Sequence, residues 1–276
     1  MKKIRLSEKS RRIYEEMVVC YRNNQYTIKI NQIVGNEIRK KNKTKFIDVL
    51  NITNQIKIKS SFFSDSYKVH NVYRYSIKIS DGIGELYCFQ EGYNHYNNSI
   101  YNDYDILHES ELPSIVILLE SPHSEEYSLE YTVKGPAQGK TGEYIESEIK
   151  SIINNIIKSR EINIDDGEYR IILVNPIPFQ TSLHYLHNGS LTRSYYKMLR
   201  DRVWLELWEK EGVFQLELQE LLNKLNPIIV LNSCTSNLKD PINKFLIKNG
   251  ISSNVYTTRH PSGWWDEINL EKLKVD

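Results

Sequence analysis

Five short segments of this chain carry side chains able to do chemistry at one place. They are Glu120-Ser121-Pro122-His123, Asn175-Pro176, Asn232-Ser233, Arg259-His260-Pro261-Ser262, and the loop Gly135-Pro136-Ala137-Gln138-Gly139-Lys140-Thr141-Gly142. One acid, an amide, two histidines and a glycine-rich loop at one rim make a site. Each alone has a plainer reading: Glu120 caps a turn, Asn175 ties down a loop, and either histidine is structural. Gly-Lys-Thr ahead of a helix invites a nucleotide-binding reading, but that motif needs G-x-x-x-x-G-K-[ST]. Here Gly135 and Gly139 enclose three residues, and no Asp closes the next strand to help hold magnesium. ATP hydrolysis fails on that geometry, while the loop can still approach an anion closely. The three cysteines, Cys20, Cys88 and Cys234, are far apart with no C-x-x-C pair. No zinc, iron–sulfur cluster or other cofactor is expected from them.

The elements that must hold these residues alternate along the second part of the chain. Ile115-Val116-Ile117-Leu118-Leu119 is a continuous apolar run, suited to a parallel strand covered on both faces. A helix follows, with Ile145, Ile149, Ile152, Ile153, Ile156 and Ile157 on one face. Then come strand 170–174, a helical stretch from about 191 to 225, and strand 228–231. A helix opening at Asp240-Pro241, strand 255–258 and a short final helix complete the set. This order predicts a three-layer α/β/α domain over 106–276 with about four parallel strands. In open α/β sheets ligands bind beyond the carboxyl ends of the strands, which is where the five segments fall.

Residues 1–105 read as a separate N-terminal β-rich region. Ser7 caps a predicted helix with Ile13, Tyr14, Met17 and Val18 on one face. Alternating runs at 26–30, 56–59 and 72–79 follow, and Asp81-Gly82 joins the last of these to 83–89 as a hairpin. A polar, Asn- and Tyr-rich stretch from Glu91 to Asp105 reads as a linker.

Of the 276 residues, 40% are hydrophobic and 26% charged, which excludes disordered, collagen-like and disulfide-scaffold classes. No apolar run approaches the ~20 residues of a membrane span. The start, Met1-Lys2-Lys3-Ile4-Arg5, lacks the apolar segment of a signal peptide, so a cytoplasmic, reduced protein with no membrane partner is expected. The net charge of +1 hides an asymmetry: residues 1–100 hold 18 Lys and Arg against 9 Asp and Glu, and the remainder hold 18 against 26. A basic half suits an anionic partner, and two oppositely charged domains packed together fit equally well.

The chemical segments, in order, resemble the uracil-DNA glycosylase superfamily. Its branches carry G-E-x-P-G, then P-F-x-G-x-x-G, a strand ending in Asn, and a late H-P-S. Here these appear as Leu119-Glu120-Ser121-Pro122-His123, Pro136-Ala137-Gln138-Gly139-Lys140-Thr141-Gly142, Val174-Asn175-Pro176 and His260-Pro261-Ser262-Gly263-Trp264. The resemblance spans residues 112–276 and leaves the first hundred uncovered. It implies a DNA glycosylase that takes a base flipped from double-stranded DNA, or one in single-stranded DNA, and hydrolyses its N-glycosidic bond. In that reading Glu120 stabilises the cationic sugar or orients the water. His260 donates to the leaving base, and Asn175 reads its edge. Gly139 and Ser262 hold flanking phosphates, and Ser121, Pro122, His123 and Gln138 line the substrate. Trp264 falls at the family's wedge position, with core packing as the other reading for Trp264 and Trp265.

The departures sharpen the expectation. The iron–sulfur branches need four cysteines that this chain lacks. Ala137 stands where an aromatic normally stacks on uracil, so the implied substrate is a bulkier pyrimidine, such as a hydroxymethylated or glucosylated cytosine of phage DNA, in an anti-phage role. Alternatively Phe179 or Tyr185 fills the space and the substrate is ordinary uracil in repair. His123 replaces a family glycine, leaving Glu125 and Glu126 as reserve carboxylates for Glu120. A catalytically inactive DNA-binding or sensor protein of the same fold is the rival from another class. No protein partner is implied.

Overall fold

The structure, a computed structural model, describes residues 14–21, 24–40, 47–49, 55–88, 111–159, 161–183, 193–210, 212–251 and 254–274. Among them the chain is mixed α/β, with five α-helices and two sheets. Ser7, Ile13, Tyr185 and the linker at 91–105 lie outside the described residues. The chain divides into two compact units, one of residues 1–65 with 182–206, the other of 66–181 with 207–276. This division differs from the boundary expected at 105.

The first unit contains the sheet β2-β1-β4-β3, built from β1 (Tyr14–Tyr21), β2 (Asn24–Asn31), β3 (Ile47–Val49) and β4 (Gln55–Ile58), with α1 (Gln32–Lys40). The helix predicted around Tyr14, Met17 and Val18 is therefore a strand. It pairs antiparallel with β2, Met17 opposite Ile28 and Val19 opposite Tyr26, and parallel with β4. Val18 and Cys20, on the other face, are buried too. A run apolar on both faces satisfies helical and strand spacing alike, and the β-branched pair Val18-Val19 favours the pleat.

The second unit is organised by a seven-stranded sheet in the order β11-β10-β9-β7-β8-β5-β6. Its strands are β5 (Val72–Ser80), β6 (Ile83–Cys88), β7 (Ser114–Leu118), β8 (Gly167–Val174), β9 (Ile229–Asn232), β10 (Val255–Thr257) and β11 (Glu271–Lys272). The four central strands, β8, β7, β9 and β10, run parallel. β5 lies antiparallel on β8, β6 on β5, and β11 on β10. So β5 and β6, assigned from sequence to a separate region, are strands of the main sheet. Asp81 and Gly82 both take positive φ (52° and 71°), the geometry that a two-residue hairpin requires.

α2 (Lys140–Ser159) follows its sequence pattern. Ile145, Ile149, Ile152, Ile153 and Ile156 are buried against Ile115, Ile117, Ile171, Leu173 and Leu231 of the sheet. Each isoleucine contributes about 1.5–3 kcal/mol of burial. Val116, Leu118, Ile172 and Val174, of opposite parity, are buried as well, so the central strands are covered on both faces. The stretch read as one helix over 191–225 is two, α3 (Arg193–Glu209) and α4 (Val213–Leu225), and Gly212 at φ 63° precedes the second. α5 (Ser236–Lys248) opens before Asp240-Pro241, because Thr235 O accepts the N–H groups of Leu238 and Lys239 and starts the helix there. Pro241 then sits inside the helix. The expected final helix is instead β11, paired with β10. No helix among the described residues is long and apolar enough to cross a membrane.

Candidate active site

Parallel strands in register bring their carboxyl ends to one rim. Leu118 is opposite both Val174 and Asn232, and Asn232 is opposite Thr257. Backbone bonds carry the order beyond the strands: Leu119 N to Val174 O (2.9 Å), Ser233 N to Leu118 O (2.9 Å) and Thr258 N to Asn232 O (3.1 Å). Glu120, Asn175, Ser233 and His260 all follow directly from these ends.

Glu120 is 7% exposed, and its Oε2 accepts from Thr235 N, at the start of α5, at 3.4 Å. Ser233 and Thr258 close the next step of the rim with their hydroxyls 2.9 Å apart. His260 lies two residues further along, ahead of a short 3-10 turn, Pro261–Gly263. Its Nδ1 lies 2.9 Å from Ser262 Oγ and 3.3 Å from Ser262 N. A backbone N–H can only donate, so Nδ1 is an acceptor and the neutral ring carries its proton on Nε2. Arg259 steadies the same loop through Asp266 and Glu267, each at 2.9 Å.

The loops after β7 are organised by Glu126, which is 4% exposed. Its Oε1 accepts from Ala137 N at 2.5 Å and its Oε2 from His123 N. Burial pushes its carboxyl up to about 8, against the downward pull of those two donors and of Arg74. The buried Arg74 donates to Pro136 O at 2.8 Å. Ala137 (φ 53°) and Gly139 (φ 62°) take left-handed backbone. A Cβ on Gly142 would collide with the carbonyl of Ala137, so the loop and the first turn of α2 fit only with glycine there. Gln138 Nε2 reaches Pro136 O at 3.5 Å. Ser121 Oγ is 2.7 Å from Thr181 Oγ1, Pro122 is buried, and His123 and Ser262 are exposed.

Asn175 is 4% exposed and donates its backbone N–H to Asn71 Oδ1 at 3.2 Å. Both polar atoms of its carboxamide are buried without a hydrogen-bond partner among the described residues. It borders a hollow of about 290 Å³ formed with residues 68–71, 174–176, 178 and α4. Glu120 and His260 do not line that hollow. The rim thus aligns the three backbones, while Asn175 borders a hollow that Glu120 and His260 do not line.

Trp264 corrects the expectation of a wedge. It is 3% exposed, packs in the main core, and donates Nε1–H to Arg259 O at 2.7 Å. Trp265 is the exposed ring, at 67%. Trp264→Ala is expected to cost about 3–5 kcal/mol in chemical denaturation, and Trp265→Ala within about 0.5 kcal/mol of nothing. Equal losses would contradict this placement.

Sequence reasoning named Glu126 only as a reserve acid and missed Arg74, Asn71 and Thr235. Arg74 sits mid-strand with no motif around it, and only the closure of the sheet reveals its task. Phe179, one candidate to replace the missing ring at 137, is buried and packs edge-on against Phe214 with ring centroids 6.3 Å apart. Set against family models, curated proteins and solved structures, the chain matches none of them.

Proposed function

We propose that the chain is a DNA glycosylase, an N-glycosyl hydrolase on a three-layer α/β/α domain like that of the uracil-DNA glycosylases. The observation that carries this reading is the pairing of His260 with Ser262, which leaves the imidazole proton on Nε2 at the same rim as the Glu120 carboxyl group. Breaking the glycosidic bond leaves the electron pair on the base and positive charge on the sugar. Glu120 faces the sugar, and an attacking water completes the bond at its anomeric carbon. The departing base, negatively charged as it leaves, accepts the hydrogen bond of His260 Nε2. Water's proton leaves to solvent, and an abasic site remains. The basic first hundred residues supply phosphate contacts.

The larger pyrimidine, as found in modified phage DNA, rests on the resemblance, in which Ala137 replaces a stacking ring; Ala137 itself is fully buried in the main core. The test compares bases released from uracil-containing DNA and from DNA bearing hydroxymethylated or glucosylated cytosine, followed by mass spectrometry. Release of the modified base supports the full reading, release of uracil alone leaves a repair enzyme, and release of neither overturns catalysis. A DNA-binding protein without catalysis is the second reading. It is favoured by the separation of the Asn175 hollow from Glu120 and His260.

A further inference from the structure

We propose that the outer edge of β6 is a strand-pairing surface for a second copy of this chain, and that Asn154 of α2 keeps it closed. β6 is the last strand of the seven-stranded sheet among the described residues. Its register on β5 decides which groups face outwards. Asp81-Gly82 is a two-residue turn, so Ser80 and Ile83 beside it form a hydrogen-bonded pair, and Ile79 with Gly84 forms the next, non-hydrogen-bonded one. The N–H and C=O of Gly84 therefore point away from β5, towards the place of a further strand.

A side chain fills that place. Asn154 Oδ1 accepts from Gly84 N at 2.7 Å, and Asn154 Nδ2 donates to Gly84 O at 3.3 Å. A carboxamide carries the donor and the acceptor of a peptide unit, so one side chain satisfies both groups as a neighbouring strand would. The seat is close: a Cβ on Gly84 would lie 3.3 Å from Asn154 Oδ1 and 2.7 Å from Ile77 Cδ1. α2 follows the edge on either side of this contact. Lys150 Nζ meets Glu85 Oε2 at 2.5 Å, and a Cβ on Gly82 would meet Ile157 Cγ2 at 3.8 Å. Asn is a poor residue for the interior of a helix, and here its amide serves the strand.

The occupant kept out is a second copy because the edge complements itself. Two β6 strands related by a two-fold axis run antiparallel, and each Gly84 meets the other's acceptor with its N–H and the other's donor with its C=O. Ile83, 55% exposed, buries apolar surface in the same contact. A strand edge left uncovered is a template for such pairing.

The experiment is sedimentation velocity on the full chain over a range of concentrations, joined to amide hydrogen exchange at Gly84. Asn154→Ala should self-associate at a concentration about tenfold or more below any at which the parent does. In dilute solution its Gly84 amide should exchange about tenfold or more faster than the parent's, and slow again as the chains associate. Adding Ile83→Lys, which sets like charges across the two-fold axis, should restore the parent's sedimentation. A variant that loses protection at Gly84 but sediments as the parent at every concentration overturns the proposal and leaves Asn154 a tie between helix and strand. So does association during which the Gly84 amide goes on exchanging freely. Should Asn154→Ala not fold, Asn154→Ser, with an arm too short to make both bonds, is read in the same way.

Discussion

Exchange of Glu120 for glutamine should slow base release about 10²–10⁴-fold while DNA affinity stays within about threefold. The substitution keeps the shape of a buried side chain and an oxygen able to accept from Thr235 N, but withdraws the carboxylate that the proposed mechanism sets against a developing cation. His260→Ala should fall in the same range for a different reason, because it removes the donor to the departing base and leaves Ser262 N without its acceptor. In the proposed mechanism the two groups act on one transition state, so the double variant should lose far less than the product of the single losses. Single-turnover assays of abasic-site formation measure the rates, and fluorescence anisotropy with labelled DNA measures affinity. Variants that release bases at the parental rate would remove both residues from the chemistry. A loss confined to affinity would return the rim to a role in binding alone.

The second large effect concerns Glu126. Truncation to alanine should cost about 2–4 kcal/mol, because it strips the acceptor from His123 N and from the buried Ala137 N and opens a void beneath the loop. The glutamine variant isolates its protonation. In the folded chain burial lifts the carboxyl from 4.5 to about 8, so between those values the native state keeps a proton that the unfolded chain has given up. Its contribution is complete below pH 4.5 and declines as pH rises towards about 8, at a slope approaching 1.4 kcal/mol per pH unit within the window. Glu126→Gln carries no titrating group there, so it should gain stability relative to the parent as pH rises from about 5 to about 8. Urea denaturation at intervals across that range reads the difference. Parallel stability curves for the two proteins would show that Glu126 titrates no differently in the folded and unfolded chains.

The parts of this fold that were legible in sequence depend on neighbours close along the chain. The isoleucines of α2 repeat with the turn of a helix, Ile115 to Leu119 is too short and too apolar for anything but a buried strand, and Asp81-Gly82 specifies its own hairpin. The segments that end β7, β8, β9 and β10 could be found because a parallel sheet sends all its strand ends to one side. Pairing between distant segments was not legible. Nothing near Val72 announces that its partner is Leu173, so β5 was assigned to the wrong body. β1 misled because both of its faces are buried and its apolar spacing fits two periods. At the site, residue type identified Glu120 and His260 as candidates, but only coordinates distinguish Trp264 in the core from Trp265 outside, or reveal Glu126 as a tie between two loops.

Neither unit is a single stretch of chain, since residues 182–206 group with 1–65. That interruption governs how the protein can be dissected. A fragment cut at residue 105 would discard β5 and β6 and leave one long edge of β8 bare, inviting self-association through its unpaired backbone. Expression of the catalytic candidate by itself calls for a start near residue 66 and a replacement for 182–206, whose helix α3 runs on to Glu209 across the division. A genetic screen with simple terminal truncations would report misfolding where it was meant to report function.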